Sequence, residues 1–320
     1  MCSEQMLVQR FLDPHPTAFT ASLHVHLVIP YAEPRYCGQI REAPMTVDKL
    51  TVGNIEIVSV TDGAMRGTPA YFLAGVTPDV YTPALGDDLR EDGTFAIEFG
   101  SFLVRSSGRT ILVDTGLGNK LPGGTGGKLL ENLKQIGVSP GDIDVVVNTH
   151  LHVDHVGWNC RERDGGYVPT FPNAEYWISE QEWQYWTDPL IVAEGGGHLL
   201  TDVLPLKDSP QLKLADGEAA ITPELSLLPT PGHTPGHCSL AVASAGETAI
   251  ILGDVAHHPL HLERIWIAAI DGLPRLSRRT KRALVERLIE EQALVAAGHF
   301  ASGSFGSMVR ANGRRRWQPL

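Results

Sequence analysis

Residues 148–159 read NTHLHVDHVGWN and directly follow the apolar run IDVVV. Four side chains that commonly bind metal ions lie within six positions of this stretch: His150, His152, Asp154 and His155. Alternate residues of an extended chain point to the same side, so His150 and His152 can share one metal ion. Asp154 and His155 are consecutive and cannot both continue that face. The chain has to turn there, and this second pair can serve a second metal ion close to the first.

Three further candidate ligands follow other predicted strands. The apolar segment 248–252 leads to Asp254, and the short segment 294–297 leads to His299. His233 lies in the glycine-flanked loop PGHTPGH. Ligands that stand on rigid strands can be held in a well-defined geometry. Imidazole nitrogen and carboxylate oxygen together suit zinc and similar divalent ions.

The motifs together resemble those of the metallo-β-lactamase superfamily. They are VDTG at 113–116, HLHVDH at 150–155, PGHTPGH at 231–237, LGDV at 252–255 and AGHF at 297–300. The resemblance runs from about residue 50 to the C-terminus. The separations between the motifs, with the ending RWQP, are most similar to those of the branch that contains methyl parathion hydrolase and the quorum-quenching lactonases.

This resemblance implies an α/β fold, the αβ/βα sandwich, in which two central mixed β-sheets are flanked by helices and the site lies at one edge. It also implies the metal ligands of this chain. The first metal ion is expected on His150, His152 and His233, the second on Asp154, His155 and His299, with Asp254 bridging the two. Zinc is the favoured metal, and iron, manganese and cobalt remain alternatives because His/Asp sets accept all of them.

The resemblance also implies roles in catalysis. A hydroxide that bridges the two metal ions is the expected nucleophile, and Asp154 is expected to steer a proton to the leaving group. His257 stands where lactonases of the superfamily place a hydrogen-bond donor to the substrate; the alternative is a merely polar loop residue. Asp62 and Asp114 are expected to orient ligands and loops, and His237 to orient its own loop. Trp158 is expected to begin the wall of the substrate pocket.

We therefore predict a dinuclear metal-dependent hydrolase that opens a lactone or cleaves an apolar ester. N-acyl homoserine lactones and aryl lactones are favoured as substrates. One alternative is a phosphotriesterase or arylesterase of the methyl parathion hydrolase type. Another, of a different class, is a metal-binding sensor or interaction module with little catalysis.

Bulk properties limit the partners. The 320 residues carry a formal net charge of −11, which argues against nucleic acid as a partner because such affinity comes largely from Lys and Arg on phosphates. No early segment combines basic residues with a long apolar core, so we predict a cytoplasmic protein without a membrane span. Residues 1–46 are rich in proline and predict an N-terminal arm, followed by a catalytic domain at 47–320. A homodimer is expected, in which the arm wraps the partner subunit.

Hydrophobic periodicity predicts the elements around these motifs. Segments 94–105 and 110–114 predict a β-hairpin, and 50–61 predicts a strand that ends at the turn signal Asp62-Gly63. Helices are predicted at 127–136, 180–186 and 276–292. The remaining predicted strands are 144–148, 174–179, 225–228, 239–242, 248–252 and 294–297.

Overall fold

The computed structural model describes residues 47–119 and 127–320. The predicted arm at 1–46 lies outside the described residues. The strands within them are, in chain order, Lys49–Val52 (β1), Ile55–Gly67 (β2), Phe95–Ser106 (β3), Arg109–Val113 (β4), Val145–Val147 (β5), Cys160–Arg163 (β6), Gly166–Pro169 (β7), Glu175–Ser179 (β8), Leu212–Ala215 (β9), Ala219–Ala220 (β10), Leu225–Pro229 (β11), Cys238–Ser244 (β12), Glu247–Ile251 (β13), Leu294–Ala296 (β14), Phe305–Ala311 (β15) and Arg314–Pro319 (β16).

Two mixed seven-stranded sheets form the centre of the fold. The first has the order β1-β2-β3-β4-β5-β8-β9, and the second has the order β10 to β16 without interruption. In the first sheet β4, β5, β8 and β9 run parallel to one another, and in the second only β13 and β14 are parallel among the described strands. The pair β6-β7 forms a separate small ribbon.

Helices cover the outer faces of both sheets. They are Pro69–Phe72 (α1), Pro78–Leu85 (α2), Leu129–Gln135 (α3), Val153–Val156 (α4), Glu180–Trp186 (α5), Pro189–Glu194 (α6), Pro259–Arg264 (α7) and Pro274–Glu290 (α8). Buried side chains of α3, α5 and α6 pack on the first sheet, and buried side chains of α7 and α8 pack on the second.

The core between the sheets follows from the alternation of strand side chains. In β5, Val145 and Val147 point to the second sheet and pack with residues such as Leu240, whereas Val146 points outward to the helical layer. All three valines are fully buried, which explains the uninterrupted apolar run. The predicted αβ/βα sandwich is confirmed.

Most predicted elements form, with shifts of one or two residues at their ends. The single strand predicted at 50–61 is wrong, because β1 and β2 are two antiparallel strands joined by a turn at residues 53–54. The predicted turn at Asp62-Gly63 is also wrong. Strand β2 continues through these residues to Gly67, and its pairing with β3 shifts between Thr61 and Ala64. Such a β-bulge re-aims a side chain without ending the strand. Here it turns the Asp62 carboxylate inward, to backbone and side-chain donors of the loops beside the site.

Within the described ranges, no helix has the length and apolar character that a bilayer span requires.

Candidate metal centre

The candidate ligands meet at one edge of the sandwich because several strands end there. His150 follows β5, His233 follows β11, and His299 follows β14. Asp254 lies in a short 3-10 helix, Gly253–Val255, that follows β13. The short helix α4 begins directly after His152, and this is the turn that separates His150 and His152 from the next pair of side chains.

One group of potential ligand atoms comprises His150, His152, His233 and Asp254, all within 4.8 Å of one another. Nδ1 of His152 lies 3.0 Å from Nε2 of His150 and 2.9 Å from Nε2 of His233. Oδ2 of Asp254 lies 3.1 Å from Nε2 of His233 and 3.6 Å from Nε2 of His150. Three ring nitrogens and one carboxylate oxygen therefore face a common point.

A second group comprises Asp154, His155 and His299. Oδ2 of Asp154 lies 3.6 Å from Nε2 of His155 and 3.9 Å from Nε2 of His299. The other oxygen of Asp254, Oδ1, lies 3.1 Å from Nε2 of His155 and 2.8 Å from Nε2 of His299. The two oxygens of Asp254 thus divide between the two groups, as a bridging carboxylate requires.

The spacing of these atoms fits metal coordination. Ligands at about 2.0–2.1 Å from a tetrahedral zinc ion lie about 3.3 Å from each other, which is close to the separations within both groups. Nε2 of His155 is buried and has no hydrogen-bond partner, although burying an unsatisfied polar atom is costly. A metal ion at this point would satisfy that nitrogen. The described residues therefore fit a pair of divalent ions.

Hydrogen bonds on the far side of the His150, His155 and His299 rings orient their lone pairs toward the centre. Nδ1 of His155 donates to Asp114 at 2.9 Å, and Nδ1 of His299 donates to the Glu98 carbonyl at 2.6 Å. Nδ1 of His150 lies 3.1 Å from the Thr149 hydroxyl, which itself donates to Asp114. Such partners fix the tautomer in which Nε2 is free to bind a metal ion. The predicted orienting role of Asp114 is consistent with these contacts.

The pKa shifts differ among the histidines of the two groups. Burial, and then the charge of neighbouring histidines, lowers the pKa of His150 and His152 well below 6.5, so these rings are neutral. Burial acts in the same direction on His155, but Asp254 and Asp154 outweigh it and raise its pKa well above 6.5. Burial also opposes the charge of His233 in the first group, but Asp254 and Asp271 outweigh it and raise its pKa to about 9. Each group therefore contains a ring that attracts positive charge, whether it is carried by a proton or by a metal ion.

Two other histidines contact Asp254. Nε2 of His257 lies 3.0 Å from Oδ2 of Asp254, and its ring stacks on His299 with centroids 5.0 Å apart. The His257 ring is only 2% exposed, so it faces the ligand cluster rather than an open pocket wall. His237 accepts a hydrogen bond from the backbone N–H of Asp254, which shows how a residue outside the ligand groups orients the turn.

Sequence reasoning missed Glu182, which links the loops that carry the ligands. Its fully buried carboxylate accepts hydrogen bonds from Leu151 N–H at 3.1 Å, Gly236 N–H at 2.9 Å, Thr234 Oγ1 at 2.7 Å and Trp186 Nε1 at 2.6 Å. Leu151 stands between His150 and His152, and Thr234 follows His233. Nothing in the local pattern of α5 signals this role, because every loop partner is at least 31 residues away in sequence.

Asp62 and the glycines near it hold the chain where it leaves the motif. Asp62 accepts hydrogen bonds from Gly118 N–H, Leu129 N–H and Trp158 Nε1. A Cβ on Gly157 would lie 2.1 Å from the Leu117 backbone, so only glycine allows this close approach. The expectation that Trp158 begins the pocket wall is wrong. Its ring lies in the core under the helical layer, because its N–H is bound to Asp62.

Apolar and aromatic side chains border the ligand cluster. The Trp186 ring contacts His152 with centroids 5.2 Å apart, and the Phe72 ring contacts His257 at 5.2 Å. Tyr71 packs edge-on against Phe72. Burial, followed by the charges of Asp154 and Asp254, raises the pKa of Tyr71 to about 12, so its hydroxyl stays protonated near the cluster.

A four-layer sandwich with two adjoining His/Asp groups at its edge defines a class of proteins built to hold a pair of metal ions. Within that class, residues 101–299 match the model of the metallo-beta-lactamase superfamily. The match covers more than half of the chain, and this protein belongs to that superfamily. The family predicted from the motifs is confirmed.

Curated relatives include N-acyl homoserine lactonases. One from Bacillus sp. is 27% identical over 221 residues, which are 62% of this chain and 79% of the relative. The lactonase AttM of Rhizobium radiobacter is 31% identical over 185 residues, which are 53% of this chain and 63% of AttM. The chain thus spans less than two thirds of the length of AttM. These relatives support the predicted class of metal-dependent hydrolase.

Solved structures share the whole fold. The hydrolase AbOPH of the β-lactamase superfamily is 25% identical, with a TM-score of 0.76 over 87% of this chain and 99% of that one. AidC, a dizinc quorum-quenching lactonase, is 23% identical, with a TM-score of 0.74 over 86% of this chain and 97% of that one. At this identity the likeness to AidC establishes the fold alone.

Proposed function

We propose that this protein is a dinuclear metal-dependent hydrolase that opens lactones, with N-acyl homoserine lactones or aryl lactones as the favoured substrates. The observation that carries the proposal is the division of Asp254, whose Oδ1 faces His155 and His299 while Oδ2 faces His150 and His233. The lactonases among the relatives support the choice of lactones.

In this proposal the seven predicted side chains hold the metal ions. His150, His152 and His233 would hold one ion, Asp154, His155 and His299 would hold the other, and Asp254 would contact both. Zinc is the favoured metal. Two ions bound here would supply a nucleophilic hydroxide at neutral pH and polarise the oxygen of the scissile group.

Side chains of this chain would orient the substrate and move the proton. The side chain of Asp154 is 20% exposed, whereas Asp254 is deeply buried. The Asp154 carboxylate can therefore pass a proton to the leaving group of a substrate that binds from solvent. We keep His257 as a proposed hydrogen-bond donor to the substrate, because its ring stacks on the proposed ligand His299 beside the centre. Phe72 and Trp186 border the ligands with apolar surface, which suits an uncharged and fairly apolar substrate.

We further propose that residues 47–320 form the catalytic domain and that residues 1–46 form an arm. A homodimer and a cytoplasmic location are also proposals. Light scattering on the full chain tests the dimer directly, and a monomeric mass would contradict it.

A substrate panel tests the function. Zinc-loaded protein is offered N-acyl homoserine lactones, aryl lactones, aryl esters, phosphotriesters, thioesters and β-lactams, and proton or chromophore release is followed. We expect the highest kcat/KM on a lactone. A preference for phosphotriesters would replace the lactonase by the methyl parathion hydrolase type of activity. Two bound metal ions without turnover of any substrate would favour a sensor or interaction module instead.

A further inference from the structure

Lys281 is a buried cation for which the proposed reaction has no use. Its side chain is only 1% exposed, and its ammonium group donates a hydrogen bond to the Trp266 carbonyl at 2.7 Å. It also lies 3.9 Å from Oδ2 of Asp271, whose side chain is equally buried. Lysine is almost never fully buried without a partner, so this pair calls for an explanation.

Asp271 connects Lys281 to the proposed metal ligand His233. Its Oδ1 accepts a hydrogen bond from Nδ1 of His233 at 3.0 Å. Its Oδ2 accepts hydrogen bonds from the Ser277 hydroxyl at 2.7 Å and from Ala268 N–H at 3.3 Å. The carboxylate is therefore fully bonded in a dry environment, with one oxygen committed to the imidazole and the other to α8 and the loop before it.

The backbone around Asp271 and Lys281 also lies close to the loop that carries His233. Gly272 N–H donates to the His233 carbonyl at 2.9 Å, and the Thr280 hydroxyl donates to the Pro231 carbonyl at 2.7 Å. A Cβ on Gly232 would lie 2.3 Å from the Ser277 backbone, so glycine lets the first turns of α8 reach the loop. The start of α8 thus acts as a support for the loop that carries His233.

We infer that Asp271 is a positioning residue for the metal ion on His233, and that Lys281, whose ammonium group lies 3.9 Å from Oδ2 of Asp271, helps to hold that carboxylate in place. The hydrogen bond from Nδ1 to Asp271 leaves the Nε2 lone pair of His233 facing His152 and Asp254. An anionic partner also makes the imidazole a stronger donor to a metal ion. This inference rests on the proposed metal site but does not depend on which substrate is hydrolysed.

Zinc affinity, measured without substrate, tests the inference. Metal-free protein is titrated with Zn²⁺ against a chromophoric chelator, for the wild type, Asp271→Asn, Lys281→Met and the double variant. Asp271→Asn should weaken one of the two sites about 10- to 100-fold and leave the other unchanged. Lys281→Met should cause a smaller loss at the same site, because Asp271 then loses one of the contacts that hold its carboxylate in place. In the Asp271→Asn background, Lys281→Met should cause no further loss.

A matched control is Asp144→Asn. Asp144 accepts a hydrogen bond from Thr110 N–H at the end of β5 opposite to the ligands, so it is also a bonded carboxylate but far from the centre. It should leave both affinities unchanged. Cobalt(II) spectra add a second readout, in which Asp271→Asn alters the bands of one ion only.

Wild-type affinity at both sites in Asp271→Asn would overturn the inference. If that variant fails to fold, Ser277→Ala and Lys281→Met carry the test, and unchanged affinity in both would overturn it equally. Two zinc ions bound without hydrolysis of the substrate panel would instead contradict the proposed function and leave this inference standing.

Discussion

The backbone N–H of Asp254 donates a hydrogen bond to Nε2 of His237 over 2.9 Å. The acceptor is fixed, because burial lowers the pKa of His237 to about 3 and Nδ1 donates to the Thr230 hydroxyl at 2.9 Å. Gly253 makes the approach possible, since its φ is +56° and a Cβ there would lie 2.7 Å from the His237 ring. His237 therefore sets where the Asp254 carboxylate stands.

His237→Leu should lower both activity and metal binding. The substitution removes the acceptor and leaves the Asp254 N–H unsatisfied in the core, and partners of this kind are typically worth 10- to 100-fold in metal affinity or activity. We expect a loss of about 10- to 100-fold in kcat/KM on the preferred substrate. His237→Gln keeps an acceptor oxygen and should retain more activity. Equal activity in His237→Leu and the wild type would contradict this role.

Asp254→Asn should reduce the number of bound metal ions. The amide presents one oxygen and one NH₂ group, so it cannot offer an anionic oxygen to each of the two histidine groups. Metal analysis after dialysis should give clearly fewer than two ions per chain, with hydrolysis nearly abolished. Asp216→Asn changes an exposed carboxylate and is the control. Two tightly bound ions in Asp254→Asn would contradict the bridging assignment.

The candidate ligands could be found from sequence because each stands in a short motif at the end of an apolar run. The hairpin of β3 and β4 and the helix α5 could be predicted for a similar reason, since periodicity and turn residues are local signals. Asp62-Gly63 is locally a turn signal, yet pairing with β3 on both sides carries the strand through it as a bulge. Tertiary pairing here overrides the local preference.

The residues that hold the ligands could not be predicted in the same way. Asp271 lies 38 positions from His233, and in the sequence it reads as part of an Asp-Gly turn. Glu182 reads as an ordinary acidic residue in the first turn of a helix. Their roles exist only once the loops are folded against each other, so no spacing rule reveals them.

Glu182→Gln should destabilise the protein and loosen the metal site. Of the four donors around the carboxylate, three belong to the loops that carry His150, His152 and His233. An amide would turn an NH₂ group toward one set of donors, and hydrogen bonds to charged groups are worth about 1.5–3 kcal/mol each. We expect a fall of about 3 kcal/mol in the free energy of unfolding by urea. Glu180→Gln, on the same turn of α5, should have little effect. Unchanged stability in Glu182→Gln would contradict the linking role.

Metal-free protein should lose stability as the pH falls below about 6.5. Burial lowers the pKa of His261 well below 6.5 and that of His237 to about 3, so the folded state keeps both rings neutral. The unfolded chain binds protons at both near pH 6.5, and stability is therefore lost as the pH falls from there toward the folded pKa values. Each histidine contributes a slope of up to about 1.4 kcal/mol per pH unit. Urea unfolding at about pH 7, 6 and 5 measures how the free energy of unfolding changes with pH. His261→Phe should make this change smaller. A flat profile would contradict neutral burial.

Tyr71→Phe should impair turnover without removing metal ions. Burial, and then the negative charges of Asp154 and Asp254, raise the pKa of Tyr71 to about 12, so its hydroxyl stays protonated. It is therefore a hydrogen-bond donor beside the proposed centre, available to a substrate oxygen. Loss of one such donor should lower kcat/KM by about 10-fold or more, with two metal ions retained.

Tyr81→Phe is the matched control, because Tyr81 packs on the same apolar cluster as Tyr71. Equal kcat/KM in Tyr71→Phe and Tyr81→Phe would show that the Tyr71 hydroxyl does not contact the reacting group. A loss of bound metal in Tyr71→Phe would instead assign the hydroxyl to the support of the ligands.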